Sequence, residues 1–163
     1  MLVVVSDTSP IRALNHLGCV SLLGELYGTV YVPPAVVREL ECTSEGTQVV
    51  DVAEFEFIRV QSPASRAAVA ALRTSLDEGE SEALALAQEI GASIVLIDEL
   101  DGRARAEQLG FVVVGTLGVL LGAKERGLSG DVRPLLDDLT TNLGFFISDE
   151  LRNRVLEIAG EAD

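Results

Sequence analysis

The chain has 163 residues, 48% of them hydrophobic, and 26 acidic side chains against 12 basic ones give a formal net charge of −14. That length suits one well-covered core, and a positive mean hydropathy of +0.34 excludes a disordered chain in spite of the charge. So acidic a surface repels nucleic acid on average, which argues against broad phosphate binding by basic residues.

Two readings of the charge are compatible: a surface adapted to a salty interior, and a cluster of carboxylates that holds cations. The longest apolar stretch, "FVVVGTLGVLLGA", is interrupted by glycines and falls short of the ~20 residues of a membrane helix. "MLVVV" is too short for a signal peptide and has no basic leader, so the expected setting is the cytoplasm with no membrane attachment. Cys19 and Cys42 have no metal-ligand spacing and read as ordinary reduced thiols.

In chain order, "LVVVS" is a continuous apolar run and predicts a strand buried on both faces. "SPIRALNHLG" predicts a short helix stopped by Gly18, and "VSLLGELYG" continues helical. "TVYVP" predicts a short strand, followed by the proline-led helix "PPAVVRELE". "FEFIRVQ" fits a strand or an edge. "SRAAVAALRTSL" and "GESEALALAQEIG" are alanine-rich helices. "SIVLID" and "FVVVG" are two more continuous apolar strands, with the helix "DGRARAEQLG" between them. "TLGVLLGAKERG", "DVRPLLDDLTTNL" and "SDELRNRVLEIAG" close the chain as helices. Apolar strands alternating with helices predict an α/β protein with a mainly parallel sheet covered on both sides.

In such sheets, sites form beyond the carboxyl ends of the strands. Asp7 and Asp98 both fall there, each just after an apolar run. "VVVSDTSP" also has a plainer explanation, since Asp, Thr and Ser cap helices and Pro10 suits a first turn. In "GESEALALAQEIG", Glu80 shares a helix face with Ala83, Leu84, Ala87 and Gly91, the apolar side. Glu78 and Glu82 fall with Ala85, Gln88 and Glu89 on the polar side. A glutamate on a buried stripe is costly unless it is paired or binds a cation; the alternative is a first-turn Glu held by the helix dipole. Glu39 lies at the rim of the stripe Val36, Val37 and Leu40.

Asp7, Glu39, Glu80 and Asp98 together make an oxygen-rich set of the kind that magnesium and manganese prefer. Two such ions can activate a water and steady the leaving oxygen of a phosphodiester without any histidine. His16, the only histidine, sits mid-helix between Leu14 and Leu17 and reads as structural. No serine or cysteine has the histidine partner that nucleophilic catalysis requires. An aspartyl phosphatase needs a second Asp where Ser9 stands, and a phospho-receiver needs a lysine after a late strand, whereas Lys124 lies inside a helix. No G-x-G-x-x-G follows a strand, which removes dinucleotide binding.

The segments "SDTSPIRAL", "VYVPPAVVREL", "LDEGESEALALAQEIGASIVLIDELDGRARAEQLG" and "VVVGTLGVLLGAKERG" resemble PIN-domain proteins. They are similar to the VapC-type toxin ribonucleases, and closer to a branch of small prokaryotic PIN proteins. The resemblance runs in order from about residue 2 to 127, and the helical extension over about 131–160 is an ending of that branch. It implies a single three-layer α/β/α domain over 1–163 with a short, mainly parallel sheet. It also implies an acidic site for one or two Mg2+ or Mn2+ ions and RNA cleavage by metal-activated water.

By position, Asp7, Glu39, Glu80 and Asp98 match the catalytic and metal-binding acids of the family, with Glu99 or Asp101 as further candidate ligands. Thr8 and Ser9 are expected to orient Asp7. Thr116 is expected to cap its helix and to border the site. Arg12, Arg38, Arg103 and Arg105 are the candidate RNA contacts. A toxin of this kind implies a small antitoxin partner, and PIN proteins commonly form homodimers, for which "VSLLGELYG" and "TLGVLLGAKERG" offer apolar helices. The other outcome is a PIN fold that binds or regulates without catalysis. With only two Tyr and five Phe, the sequence shows no interleaving of basic and aromatic residues of the kind that stacks single strands.

Overall fold

A computed structural model describes residues 2–42 and 48–163. Five short strands, β1 (Val4–Ser6), β2 (Val30–Val32), β3 (Ile58–Val60), β4 (Ile94–Leu96) and β5 (Val112–Val114), form one sheet in the order β3-β2-β1-β4-β5. Every neighbouring pair is parallel. The helices are α1 (Thr8–His16), α2 (Ser21–Tyr27), α3 (Pro34–Glu41), α4 (Arg66–Leu72), α5 (Glu78–Ile90), α6 (Leu100–Gln108), α7 (Thr116–Glu125), α8 (Arg133–Asn142) and α9 (Asp149–Ile158). This is the three-layer α/β/α arrangement expected of a PIN-like fold.

The inner strands β1, β2 and β4 are covered on both faces, and alternate side chains feed two separate cores. Val4, Val30, Val32 and Leu96 join one core with α1, α2, α3 and α7. Val5, Val95 and Ile97 join the other with α4 and α5. Helices α8 and α9 are not appended to this framework. Leu136, Leu139, Val155 and Leu156 lie in the same core as Val4.

Three local readings of the sequence are corrected by the packing. The run "FVVVG" is not buried on both faces: β5 is an edge strand, and Val112 is 60% exposed. Helix α5 has no simple polar side, because it packs against the sheet, α3 and α4 at once. Glu82 is therefore buried, and its carboxylate accepts the Ala35 N–H at 3.1 Å and pairs with Arg66 at 3.0 Å. The apolar residues of α2 and α7, read as a candidate dimer face, pack on each other and fill the first core with Leu22, Leu23, Val119 and Leu120.

The chain builds the sheet outward from β1 through β2 to β3, then returns to the other side of β1 for β4 and β5. The direction reverses between β1 and β4, and a crevice opens at such a switch point beyond the strand ends. Ser6 lies opposite Leu96, and the Asp7 N–H donates to the Leu96 carbonyl at 2.9 Å. The residues following these two strands are the ones that line the crevice.

Candidate active site

Asp7 follows β1 directly and is 4% exposed. It occupies the N-cap position of α1 in extended backbone, yet its side chain makes no capping bond to the helix. The capping explanation of "SDTSP" therefore does not hold for this carboxyl. Burial pushes Asp7 up to about 7, against the Thr8 amide, and the charges of Asp77, Glu39 and Asp98 push it further.

Its neighbours are held by small polar side chains. Asp98, two residues beyond β4, accepts the Thr116 N–H at 2.8 Å, the Thr116 hydroxyl at 2.7 Å and the Ser9 hydroxyl at 3.0 Å. Thr116 is the first residue of α7, with Gly115 at the cap, so its role is to hold Asp98. Glu39, near the end of α3, receives the Thr8 hydroxyl. Burial raises its carboxyl, and the Thr8 hydroxyl and Gly79 amide oppose the shift. Thr8 and Ser9 therefore orient Glu39 and Asp98, while Asp7 gains only the Thr8 amide.

Two glycines permit the close approach. A Cβ on Gly79 would lie 2.6 Å from a Glu39 oxygen, and one on Gly115 would lie 2.8 Å from an Asp98 oxygen. Both distances are shorter than real Cβ contacts.

One acid escaped the sequence reading. Asp77 caps α5, accepting the Glu80 N–H at 2.8 Å, and its charge acts on Asp7, Glu39 and Glu80 together. An Asp immediately before a helix three residues ahead of a Glu reads first as a cap, which hides it. Burial is the chief cause that raises Glu80 to about 8, and the side-chain hydrogen bond and negative charge of Asp77 add to it. Glu80 stands behind Asp77, outside the cavity wall; Asp7, Glu39, Asp77 and Asp98 line that wall.

The cavity has a volume of about 1190 Å3. Glu99 lies on its rim, whereas Asp101 does not line it. Arg12 and Arg103 line it, each bonded to backbone carbonyls: Arg12 to those of Glu39 and Gln48, Arg103 to that of Ile97. Arg38 and Arg105 do not line it. Arg38 is drawn to Glu78 at 2.9 Å, and Arg105 bonds Gln108, because two positions after Arg103 is the far side of a helix. Arg154 of α9, unremarked in the sequence, is also in the wall. His16 pairs with Asp138 of α8 at 2.9 Å, away from the acids, in a structural role.

A divalent cation suits this donor set. The donors are oxygens alone, and Asp7 is a buried carboxyl with no cationic partner among the described residues. Its neighbours raise the cost of its charge, which a cation would reverse. Among the described residues, no three acids converge into a ready-made cage. Glu39 and Asp98 are turned onto the hydroxyls of Thr8, Ser9 and Thr116.

The five-stranded parallel sheet between helices, with acids beyond its strand ends, is the fold of PIN-like proteins. The sequence matches the family DUF3368, a PIN domain, over residues 3–161, and the chain belongs to that family. No curated protein sequence matches it.

Proposed function

We propose that the chain is a Mg2+- or Mn2+-dependent endoribonuclease whose reaction is carried by Asp7, Glu39 and Asp98, with Asp77 and Glu80 behind them. The observation that supports this most is the Asp7 carboxyl: buried at the switch point, pushed up to about 7, and facing three further acids in one cavity wall. A structural carboxylate in so dry a position is normally paired. A bound divalent ion supplies Lewis-acid activation of water and charge neutralisation at the leaving oxygen. Asp98 is fixed by Thr116 and Ser9, and Glu39 by Thr8, so two of the acids are oriented before any ligand arrives. Glu80, raised to about 8, keeps its proton at neutral pH, which limits the negative charge behind Asp7. Arg12 and Arg103, on the same wall, give a phosphate two cationic contacts. The products are a 5′-phosphate and a 3′-hydroxyl.

The same reading makes the chain the toxin half of a toxin–antitoxin pair in the cytoplasm, with RNA as substrate, a small protein antitoxin and a homodimeric state as further proposals. Among the described residues no helix is long and apolar enough to cross a membrane. The test is cleavage of labelled single-stranded and transfer RNA by the purified chain with Mn2+, Mg2+ or chelator, beside Asp7→Asn. Cleavage that requires metal and is lost in Asp7→Asn supports the reading. Metal binding with no cleavage of any RNA makes the chain a binding or regulatory PIN module instead.

A further inference from the structure

Besides the acids, the cavity is lined by apolar side chains from the C-terminal segment that the motif-bearing core does not include. Between α8 and α9 the chain runs Leu143-Gly144-Phe145-Phe146-Ile147-Ser148. Phe145 and Ile147 tuck into the first core, and the Phe145 N–H donates to the Leu139 carbonyl at 2.9 Å. Phe146 lies between these two packed side chains. It is 85% exposed, and it lines the same cavity as Asp7. Leu100, Leu151 and Ile158 are exposed in the same lining, and several large apolar side chains left in water around one cavity mark a binding surface rather than a core.

The charges of the cavity wall are as unusual as the ring. Of eleven arginines, five make ion pairs with carboxylates, and six have no such partner among the described residues. Three of those six, Arg12, Arg103 and Arg154, line this one cavity. In a chain of net charge −14, three cations without a carboxylate partner thus line the same cavity as an exposed aromatic ring. The cavity, at about 1190 Å3, is also larger than the ~300–1,000 Å3 that suits a single small ligand. An exposed ring and arginines without carboxylate partners, in one large cavity, are the elements of a single-strand platform, in which bases stack and phosphates meet cations.

We infer that Phe146 is a stacking platform for a nucleobase of single-stranded RNA, one lying beside the phosphate at the acidic floor, with Arg154 and Arg103 contacting the backbone between the two. The identity of the ligand rests on the ribonuclease reading. Folding thus supplies the basic–aromatic interleaving that is absent along the sequence.

The chain contains no tryptophan, so Phe146→Trp places a single fluorescent reporter at an exposed position that cannot disturb the core. The experiment titrates Phe146→Trp, on the Asp7→Asn background that keeps RNA intact, with a short mixed-sequence single-stranded RNA. Tryptophan emission and the anisotropy of labelled RNA are followed together. The expected result is saturable quenching that tracks the anisotropy, weakened about tenfold by Arg154→Ala. Binding by anisotropy with constant emission places the base elsewhere and overturns the inference. So does emission that changes with protein concentration alone together with a doubled mass, which makes the face an interface between two copies. Absence of binding overturns it as well. In the cleaving wild type, Phe146→Ala raises KM for single-stranded RNA about tenfold with little change in kcat, and Phe146→Trp restores it. If the wild type cleaves nothing, the ribonuclease reading fails, while the emission titration still decides the subsite.

Discussion

Glu82 and Asp7 are both buried carboxylates, 2% and 4% exposed, and they lie in opposite electrostatic situations. Glu82 receives the Ala35 N–H at the start of α3 and faces Arg66. Glu161, after α9, is more completely satisfied. Against the cost of its burial, the Lys124 ammonium at 2.8 Å and the Arg133 and Val132 amides hold it down at about 2. Asp7 has none of these partners and meets three acids instead, so its carboxyl moves the other way, to about 7. The contrast separates carboxylates that fasten elements together from one whose position is costly unless a cation arrives.

The largest effect expected from this contrast is at Asp7. Asp7→Asn should lower metal-dependent RNA cleavage by at least about a hundredfold, the scale of losing several kcal/mol of charge stabilisation. The same substitution should raise the melting temperature of the metal-free protein at pH 8, because it removes a buried charge. A loss of stability there would show that Asp7 is fastened after all, and would erase the contrast.

Glu82→Ala should act in the opposite sense, destabilising by about 1–3 kcal/mol in denaturant titration as the Ala35 N–H loses its acceptor. Most of that belongs to the buried amide bond, since Arg66 is largely exposed and screened. Glu161→Gln should cost less, about 1 kcal/mol, and should loosen hydrogen-exchange protection at the Val132 and Arg133 amides first. At the small end, Arg105→Ala should leave cleavage unchanged and stability within about 0.5 kcal/mol, because among the described residues its side chain bonds only Gln108 on the same helix.

The pH dependence follows from the same shifts. An acid raised in the folded state binds more protons folded than unfolded, so stability falls as pH rises from the unfolded pKa through the folded one. For Asp7 that window runs from about 3.8 to about 7, and for Glu80 from 4.5 to about 8. The metal-free protein should therefore lose stability between about pH 4 and pH 8. Glu161, depressed from 4.5 to about 2, contributes stability that is present above about 4.5 and is lost as pH falls through 2. Thermal melts across pH 2–9 should show both slopes, and Mn2+ should flatten only the upper one.

Much of the framework was legible because the strands are short, apolar and continuous, and the helices carry clear starts and stops: Pro34 opening α3, Gly91 in left-handed backbone closing α5. The positions of Asp7 and Asp98 followed from strand ends alone. What the sequence concealed depended on tertiary neighbours. Glu82 read as polar because a helical wheel assumes one buried side, whereas α5 has neighbours on several. Asp77 was hidden behind its capping role. Thr8 and Ser9 adjoin Asp7 in sequence but bond Glu39 and Asp98, acids brought in from thirty-one and eighty-nine residues away. Arg154 and Phe146 lie in helix and loop segments with no motif, and only the packing of α9 beside the core places them in the cavity.

The most direct measurement is the effect of Mn2+ on wild type and Asp7→Asn at pH 7, read both as melting temperature and as protons released on binding. The expected result is a clear rise in melting temperature for the wild type, with proton release as Asp7 and Glu80 give up theirs, and loss of most of both signals in Asp7→Asn. No rise at millimolar Mn2+, or an equal rise in the two proteins, would contradict it.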